Sequence, residues 1–264
     1  MNIILSFSLA FLAQVLVALI VIAHEHFWPA KAKDQSSHVQ NLGIGMLGTA
    51  TDFLAGSWLA PLSTLALNAA GGGYFVLPSA GWGLIVGIAI YVFAMDLGEY
   101  LFHRVQHAVP FMWAMHSLHH SDPNFGTTTT IRHFWLESWI KSLTIWLAIG
   151  LLLKATPLIV AVYGVISYYN FLTHANLRLN FRGGSWIFNS AAYHRLHHSS
   201  SPEHFDCNFA ALLPIFDVLT GAYHRPRVGE YPDTGLNTGA KPDSVLQALV
   251  WPVRGLFTTS RREA

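Results

Sequence analysis

Residues 82–107 read WGLIVGIAIYVFAMDLGEYLFHRVQH. The first half is an unbroken apolar run, and the second half adds two carboxylates, two histidines and an arginine. A bilayer core about 30 Å thick is crossed by a helix of about 20 apolar residues. The stretch from 82 to 102 has that length. Residues four apart on a helix share a face, so His103 and His107 point the same way. Glu99 and Asp96 lie earlier on the same stripe. Ionisable groups at the end of a membrane helix are costly and mark functional positions. This stretch therefore predicts a helical membrane protein with a polar site at one end of its helices.

The rest of the chain agrees. Of its 264 residues, 52% are hydrophobic and 11% charged. Soluble domains carry roughly 25% charge, and disordered chains need more charge still. A net charge of +1 leaves no basic excess for neutralising phosphates, which excludes a nucleic-acid partner. The single cysteine, Cys207, forms no internal disulfide and supports neither a thiolate zinc fold nor an iron–sulfur cluster. It reads as a small buried residue. Fifteen histidines stand against this.

Residues 3–23, IILSFSLAFLAQVLVALIVIA, form a first apolar segment with no Lys or Arg before it. It exceeds the ~7–15 apolar residues of a signal peptide and reads as an anchor. A second span is expected at 42–67, followed by a Gly- and Pro-rich turn region at 68–81. Shorter apolar blocks at 139–153 and 157–173 read as a helical hairpin. The predicted fold class is all-α, an integral-membrane helical bundle of about three full spans plus a short hairpin, with a cytoplasmic helical cap carrying the histidines. The expected domains are an anchor region at 1–80, a catalytic domain at 81–228 and a tail at 229–264 with an amphipathic helix near 243–257. Lys31, Lys33, Arg104, Arg132, Lys141, Arg178, Arg182 and Arg195 fall on one side of these spans, and Lys154 falls opposite. Basic loops face the cytoplasm, so the histidine-rich segments are expected there, in a bacterial inner membrane. GIGMLG at 43–48 sits in an apolar helix and not after a strand, so it reads as close helix packing, not a dinucleotide loop. Trp28, Trp58, Trp82, Trp113, Trp135, Trp139 and Trp186 suit a membrane-interface belt.

Two further histidine groups follow the first. Residues 115–122 read MHSLHHSD and residues 193–201 read YHRLHHSSS. Positions i, i+3 and i+4 share one side of a helix, so each box is expected to offer its nitrogens toward one point. His103 and His107, His116, His119 and His120, and His194, His197 and His198 make eight candidate ligands. That exceeds one tetrahedral site and suits two metals. Imidazole favours Zn, Cu, Fe or Ni over Mg or Ca. Metal-bound imidazoles usually give their second N–H to a carboxylate, the expected role of Asp96 and Glu99. Ser121, Asp122, Ser199 and Ser200 are expected to cap or turn the chain after each box.

HRVQH, HSLHH and HRLHH, in this order around a hydrophobic hairpin, resemble the fatty acid hydroxylase/sterol desaturase superfamily of integral-membrane oxygenases. The resemblance covers about residues 85–225 and includes DLGEYLFHR, LTHAN and DCNFAALLPIFDVLTGAY. It implies a metal ligand at His174, and surrounding roles for His133, Glu137 and Asn208. Some members carry a second histidine four residues beyond the His174 position, where this chain has Arg178. The implied activity is O2-dependent hydroxylation or desaturation of a lipid at an unactivated C–H bond. The implied cofactor is a pair of iron ions. No flavin, haem or iron–sulfur motif is present in the sequence, so a separate electron-transfer protein is expected, a ferredoxin or cytochrome with its reductase. The competing reading is a zinc-dependent membrane hydrolase.

Overall fold

In lipid, a single apolar stretch satisfies all its backbone groups within itself only as a helix. The computed structural model describes residues 3–32 and 36–253, and it is mostly helical. Three long helices come first: α1 (Ile3–Phe27), α2 (Ser36–Ala69) and α3 (Trp82–Ala108). They lie where the three spans were expected. Gln14, the polar residue of α1, is met across the helix pair by the Thr49 hydroxyl of α2 at 3.4 Å. Among the described residues, α3 alone is long and apolar enough to cross a membrane, with shorter apolar helices at Leu12–Phe27 and Pro157–Thr173. The expected first and second spans fall partly on residues whose side chains lie outside the description.

The 68–81 region turns as expected and also pairs. Its strand β1 (Phe75–Val76) runs parallel to β2 (Leu153–Lys154). Gly73 sits at φ 93°, and a Cβ there would lie 2.9 Å from the Lys154 nitrogen, so only glycine lets the two segments close. A two-residue pair carries no sequence period, which is why a purely helical reading omits it.

Val109, in extended conformation, ends α3, and Pro110 begins α4 (Pro110–His120) at once. Next come α5 (Trp135–Lys141), a π-helical turn (Ser142–Trp146), α6 (Leu147–Leu152), α7 (Pro157–Ser167) and α8 (Tyr169–Thr173). The blocks at 139–153 and 157–173, expected to pair as a hairpin, are mostly helical, and each packs against α3. The short helices α9 (Ala191–His197), α10 (Ile215–Thr220) and α11 (Val245–Leu249) follow among the described residues. The helix expected at 243–257 is shorter in the description, and its end lies outside the described residues.

The core forms behind α4. Met112, Met115 and Leu118 bury against Ile44, Phe102, Phe134, Ala248 and Trp251. Trp251 also donates from its indole to the Ser117 hydroxyl at 2.9 Å, which ties the tail to α4. Gly43 and Gly45 of α2 lie where Val245 and Ile131 approach, so these two glycines of GIGMLG serve close packing, while a Cβ at Gly48 would meet nothing within 4 Å.

Arg132 differs from its sequence reading as a loop charge. It is 1% exposed. Its guanidinium donates to the Leu118 carbonyl, Asn41, Gln40 and the Ser121 hydroxyl at 2.8–3.1 Å. Asp122 accepts from Asn41 and Thr129 at 2.8 Å. This polar knot fixes the end of α4 that carries His119 and His120. Arg132 is therefore a structural cation and says nothing about topology.

Candidate metal centre

The helix ends bring nine histidines together in two groups. His103, His107, His116, His120 and His197 form one, and His119, His174, His194 and His198 form the other. Within each group one nitrogen per ring lies within 4.8 Å of all the rest. The boxes do not each point at one centre, as the sequence reading expected. Each box is divided between the two groups. Successive residues are rotated by about 100° on a helix, so i and i+4 nearly align while i+3 and i+4 diverge. His116 and His120 go to the first group and His119 to the second. In the other box His194 and His198 go to the second group and His197 to the first.

Hydrogen bonds through Nδ1 set the ring directions. His103 donates to the Phe209 carbonyl and His197 to the Cys207 carbonyl, both at 2.7 Å. His174 donates to the Asn170 carbonyl at 2.8 Å and His116 to Glu137 Oε2 at 3.0 Å. A neutral ring that donates from Nδ1 keeps a bare lone pair on Nε2. The Nε2 atoms of His103, His116, His197 and His198 are buried with no hydrogen-bond partner. Such orphans cost about 1–3 kcal/mol each. His174 Nε2 lies 3.1 Å from His119 Nε2 and 2.9 Å from His194 Nε2, and His107 Nε2 lies 3.2 Å from His120 Nε2. Nitrogens bound at right angles to one ion at about 2.1 Å are about 3 Å apart. The donor set therefore fits a metal in each group.

Burial holds His119, His120, His194 and His198 well below the usual imidazole range, and neighbouring imidazoles push the same way. His197 is brought down to about 3 by burial. These rings stay neutral in the fold, as ligation requires. In the metal-free protein the unfolded chain takes up protons below about pH 6.5 while these buried rings do not. Their contribution is intact above that pH and is lost as pH falls, by up to about 1.4 kcal/mol per pH unit for each ring. The metal-free protein is expected to unfold at progressively lower denaturant as pH drops from 7.5 to 5.5 in detergent. A midpoint independent of pH would contradict the burial.

Glu137 organises the first group from behind. It is the third residue of α5, where its Oε1 accepts the Phe134 N–H at 2.9 Å. Its Oε2 accepts from Gln106, from His116, and from His133 at 3.4 Å. Burial raises its carboxyl, but the bonds and charge of His116 and His133 outweigh that and hold it below the usual carboxylate range. His133 also stacks on His119, with ring centroids 4.2 Å apart and planes at 12°.

Residues 88–222, about half of the chain, match the fatty acid hydroxylase family model, and they contain all nine histidines. The chain belongs to the fatty acid hydroxylase family. Alkylglycerol monooxygenase of Xenopus tropicalis is 32% identical over 130 residues, 49% of this chain and 28% of the relative. The human alkylglycerol monooxygenase is 32% identical over 131 residues, with the same shares. Ornithine lipid hydroxylase OlsE of Rhizobium tropici is 26% identical over 171 residues, 65% of this chain and 51% of the relative. The chain thus spans about half or less of these curated relatives. No solved structure matches it.

In this fatty acid hydroxylase family chain, the α3 carboxylates do not meet the imidazoles. Asp96 accepts the Leu212 and Leu213 N–H groups at 2.9 Å each. Glu99 pairs with Lys141 at 2.7 Å and faces Trp146. Neither hydrogen-bonds a histidine, which corrects the expectation drawn from the stripe. The stripe does face one loop. Asp96 holds residues 212 and 213 of the same segment that gives His103 its Phe209 carbonyl. Glu99→Gln is accordingly expected to keep the wild-type metal content and to cost within about 1 kcal/mol. Loss of metal in that variant, read by elemental analysis, would restore Glu99 to the site.

Asn208 touches no ligand ring. At φ 59° it donates to the Tyr193 and His224 carbonyls and accepts the His224 N–H, latching the loop that carries Cys207 and Phe209. Arg178 points away and donates to the Pro29 carbonyl at 3.2 Å. Sequence reasoning missed several neighbours. Phe209 packs against His103, His107 and His197, and Phe125 packs against His174, His194 and His198. Trp113, read as a belt residue, lies against His107 and His120. Its position three residues before the first HxxHH was the available signal.

Proposed function

We propose that this chain is an O2-dependent, iron-containing membrane oxygenase that hydroxylates a lipid, with one iron held by each histidine group. The observation that carries the reading is the set of imidazoles whose nitrogens converge in two groups within a fatty acid hydroxylase family chain, with the buried Nε2 atoms of His103, His116, His197 and His198 lacking a hydrogen-bond partner. The ligands would be His103, His107, His116, His120 and His197 for one ion, and His119, His174, His194 and His198 for the other. When bound, the irons supply the redox chemistry that no protein side chain has, activation of O2 for attack on an unactivated C–H bond.

This chain's residues do the rest. The Phe209, Cys207 and Asn170 carbonyls and Glu137 fix the tautomers of His103, His197, His174 and His116, so these four rings present a lone pair and not a proton. Glu137 holds the His116 proton and balances positive charge. Phe125 and Phe209 keep bulk water from the rings. On the membrane side, Ile85, Val86, Ile90, Phe93 and Leu101 of α3 are exposed, an apolar face suited to lipid. Overall, R–H, O2, two electrons and two protons give R–OH and water. The electrons come from a separate electron-transfer protein. The relatives named for alkylglycerol and ornithine lipid favour an ether- or acyl-chain lipid and hydroxylation over desaturation. The histidine end is assigned to the cytoplasmic side of a bacterial inner membrane.

The test supplies membranes containing the chain with a reducing system and isotope-labelled O2, followed by lipid mass spectrometry. One labelled oxygen atom per product, absent with His119→Ala and His197→Ala, is expected. Product formed equally without O2 or reductant, with zinc as the sole metal, would favour the hydrolase instead.

A further inference from the structure

A third group of donors lies outside the nine-histidine centre. His204, His224 and Glu230 each offer one ligand atom, all within 4.8 Å of one another. His204 closes the 3-10 turn Pro202–His204, and its Nδ1 is bonded to the Ser199 hydroxyl at 2.9 Å. That bond leaves Nε2 facing Glu230 Oε1, 3.9 Å away. The other Glu230 oxygen accepts the Arg227 N–H at 2.9 Å, which fixes the carboxylate. His224 is gripped through its backbone. Its N–H donates to Asn208 Oδ1 at 2.7 Å and its carbonyl accepts from Asn208 Nδ2 at 2.9 Å. The two rings stand edge to face with centroids 4.9 Å apart. Each residue is thus held through one set of atoms and presents another to a shared point. The 3.9 Å gap is too long for a hydrogen bond. It is near the about 3.4 Å that separates two ligands of a tetrahedral ion. His204 is buried while His224 and Glu230 are half-buried, so the point opens to solvent on one side.

We propose that His204, His224 and Glu230 form a third metal site, for a divalent transition metal of the zinc class, with the fourth position open to water. Two imidazoles and a carboxylate with one open position are a zinc-type donor set. The bound ion would tie the segment after His198 to residues 224–230. Asn208 anchors that second segment to the loop whose carbonyls hold His103 and His197. The site acts as a clasp on the strap behind the first histidine group. The proposal does not depend on which metal fills the nine-histidine centre.

The test is zinc titration by calorimetry into the purified protein, compared with His224→Ala and Glu230→Gln. The metal already present is measured before and after in each sample. The wild type is expected to bind one zinc more than His224→Ala. Glu230→Gln keeps an oxygen for the Arg227 N–H and is expected to bind that zinc at least about tenfold more weakly. The metal present beforehand should be equal in all three and unchanged by titration. Superimposable isotherms for the three proteins would overturn the site. So would zinc uptake matched by release of the resident metal.

Discussion

Glu137→Ala is expected to purify with little metal and to lose about 3–5 kcal/mol of stability, because stranded buried donors cost about 1–3 kcal/mol each. The carboxylate is 3% exposed and serves four donors at once: Gln106, His116, His133 and the Phe134 amide. Alanine leaves Gln106, His116 and the Phe134 amide without their acceptor in a buried site, while the half-exposed His133 can turn to water. Loss of the acceptor also frees the His116 ring to present its proton to the metal side. Outer partners of this kind are worth about 10–100-fold in metal affinity. Glu137→Gln tests the charge. Its amide nitrogen would face other donors, so it is expected to lose metal nearly as far while unfolding less readily than the alanine variant. Metal per chain after dialysis against chelator, with denaturant unfolding beside it, reads both effects. Wild-type values for Glu137→Ala would remove Glu137 from the centre.

The second large effect is expected at Asp217, which touches no histidine. It is fully buried and accepts the Phe209 N–H at 3.0 Å, the Ala210 N–H at 2.9 Å and the Tyr193 hydroxyl. These bonds hold the loop whose Cys207 and Phe209 carbonyls direct His197 and His103. Asp217→Ala strands three buried donors and is expected to cost about 3–5 kcal/mol, with loss of metal from the first group before the second. Tyr193→Phe removes one of the three bonds and is expected to cost about 1–3 kcal/mol while keeping both metals. If Asp217→Ala destabilised the protein yet bound metal at the first group with wild-type affinity, the loop would be a scaffold without influence on the rings.

These two residues show where sequence reading succeeds and where it stops. The helices were legible because apolar length and histidine spacing are local. HxxxH and HxxHH each declare a helix face, and α3, α4 and α9 carry them there. The division of each HxxHH between two groups was not legible. It depends on which helix end stands opposite i+3, and that is a tertiary fact. His174, His133 and Glu137 entered only through family resemblance, because no spacing links them to the boxes. Asp96 and Glu99 share a stripe with His103, yet a stripe fixes a direction and not a partner. The amides of residues 212 and 213 claim one and Lys141 the other. Arg132 looked like a loop charge because composition cannot reveal four waiting acceptors. The β1–β2 pair and the π-helical turn likewise arise from contact, not from local preference.

The central claim is that two histidine groups hold one iron each. It is tested most directly by counting and identifying the metal in the purified protein, after removal of exchangeable zinc, beside His119→Ala and His197→Ala. Two imidazole sets of four and five ligands predict about two irons per chain. The count should fall by at least half in either variant. His119→Ala removes a ligand from the four-histidine group and His197→Ala from the five-histidine group. A single zinc per chain, with no iron taken up under iron-rich growth and no dependence on His119 or His197, would contradict the account.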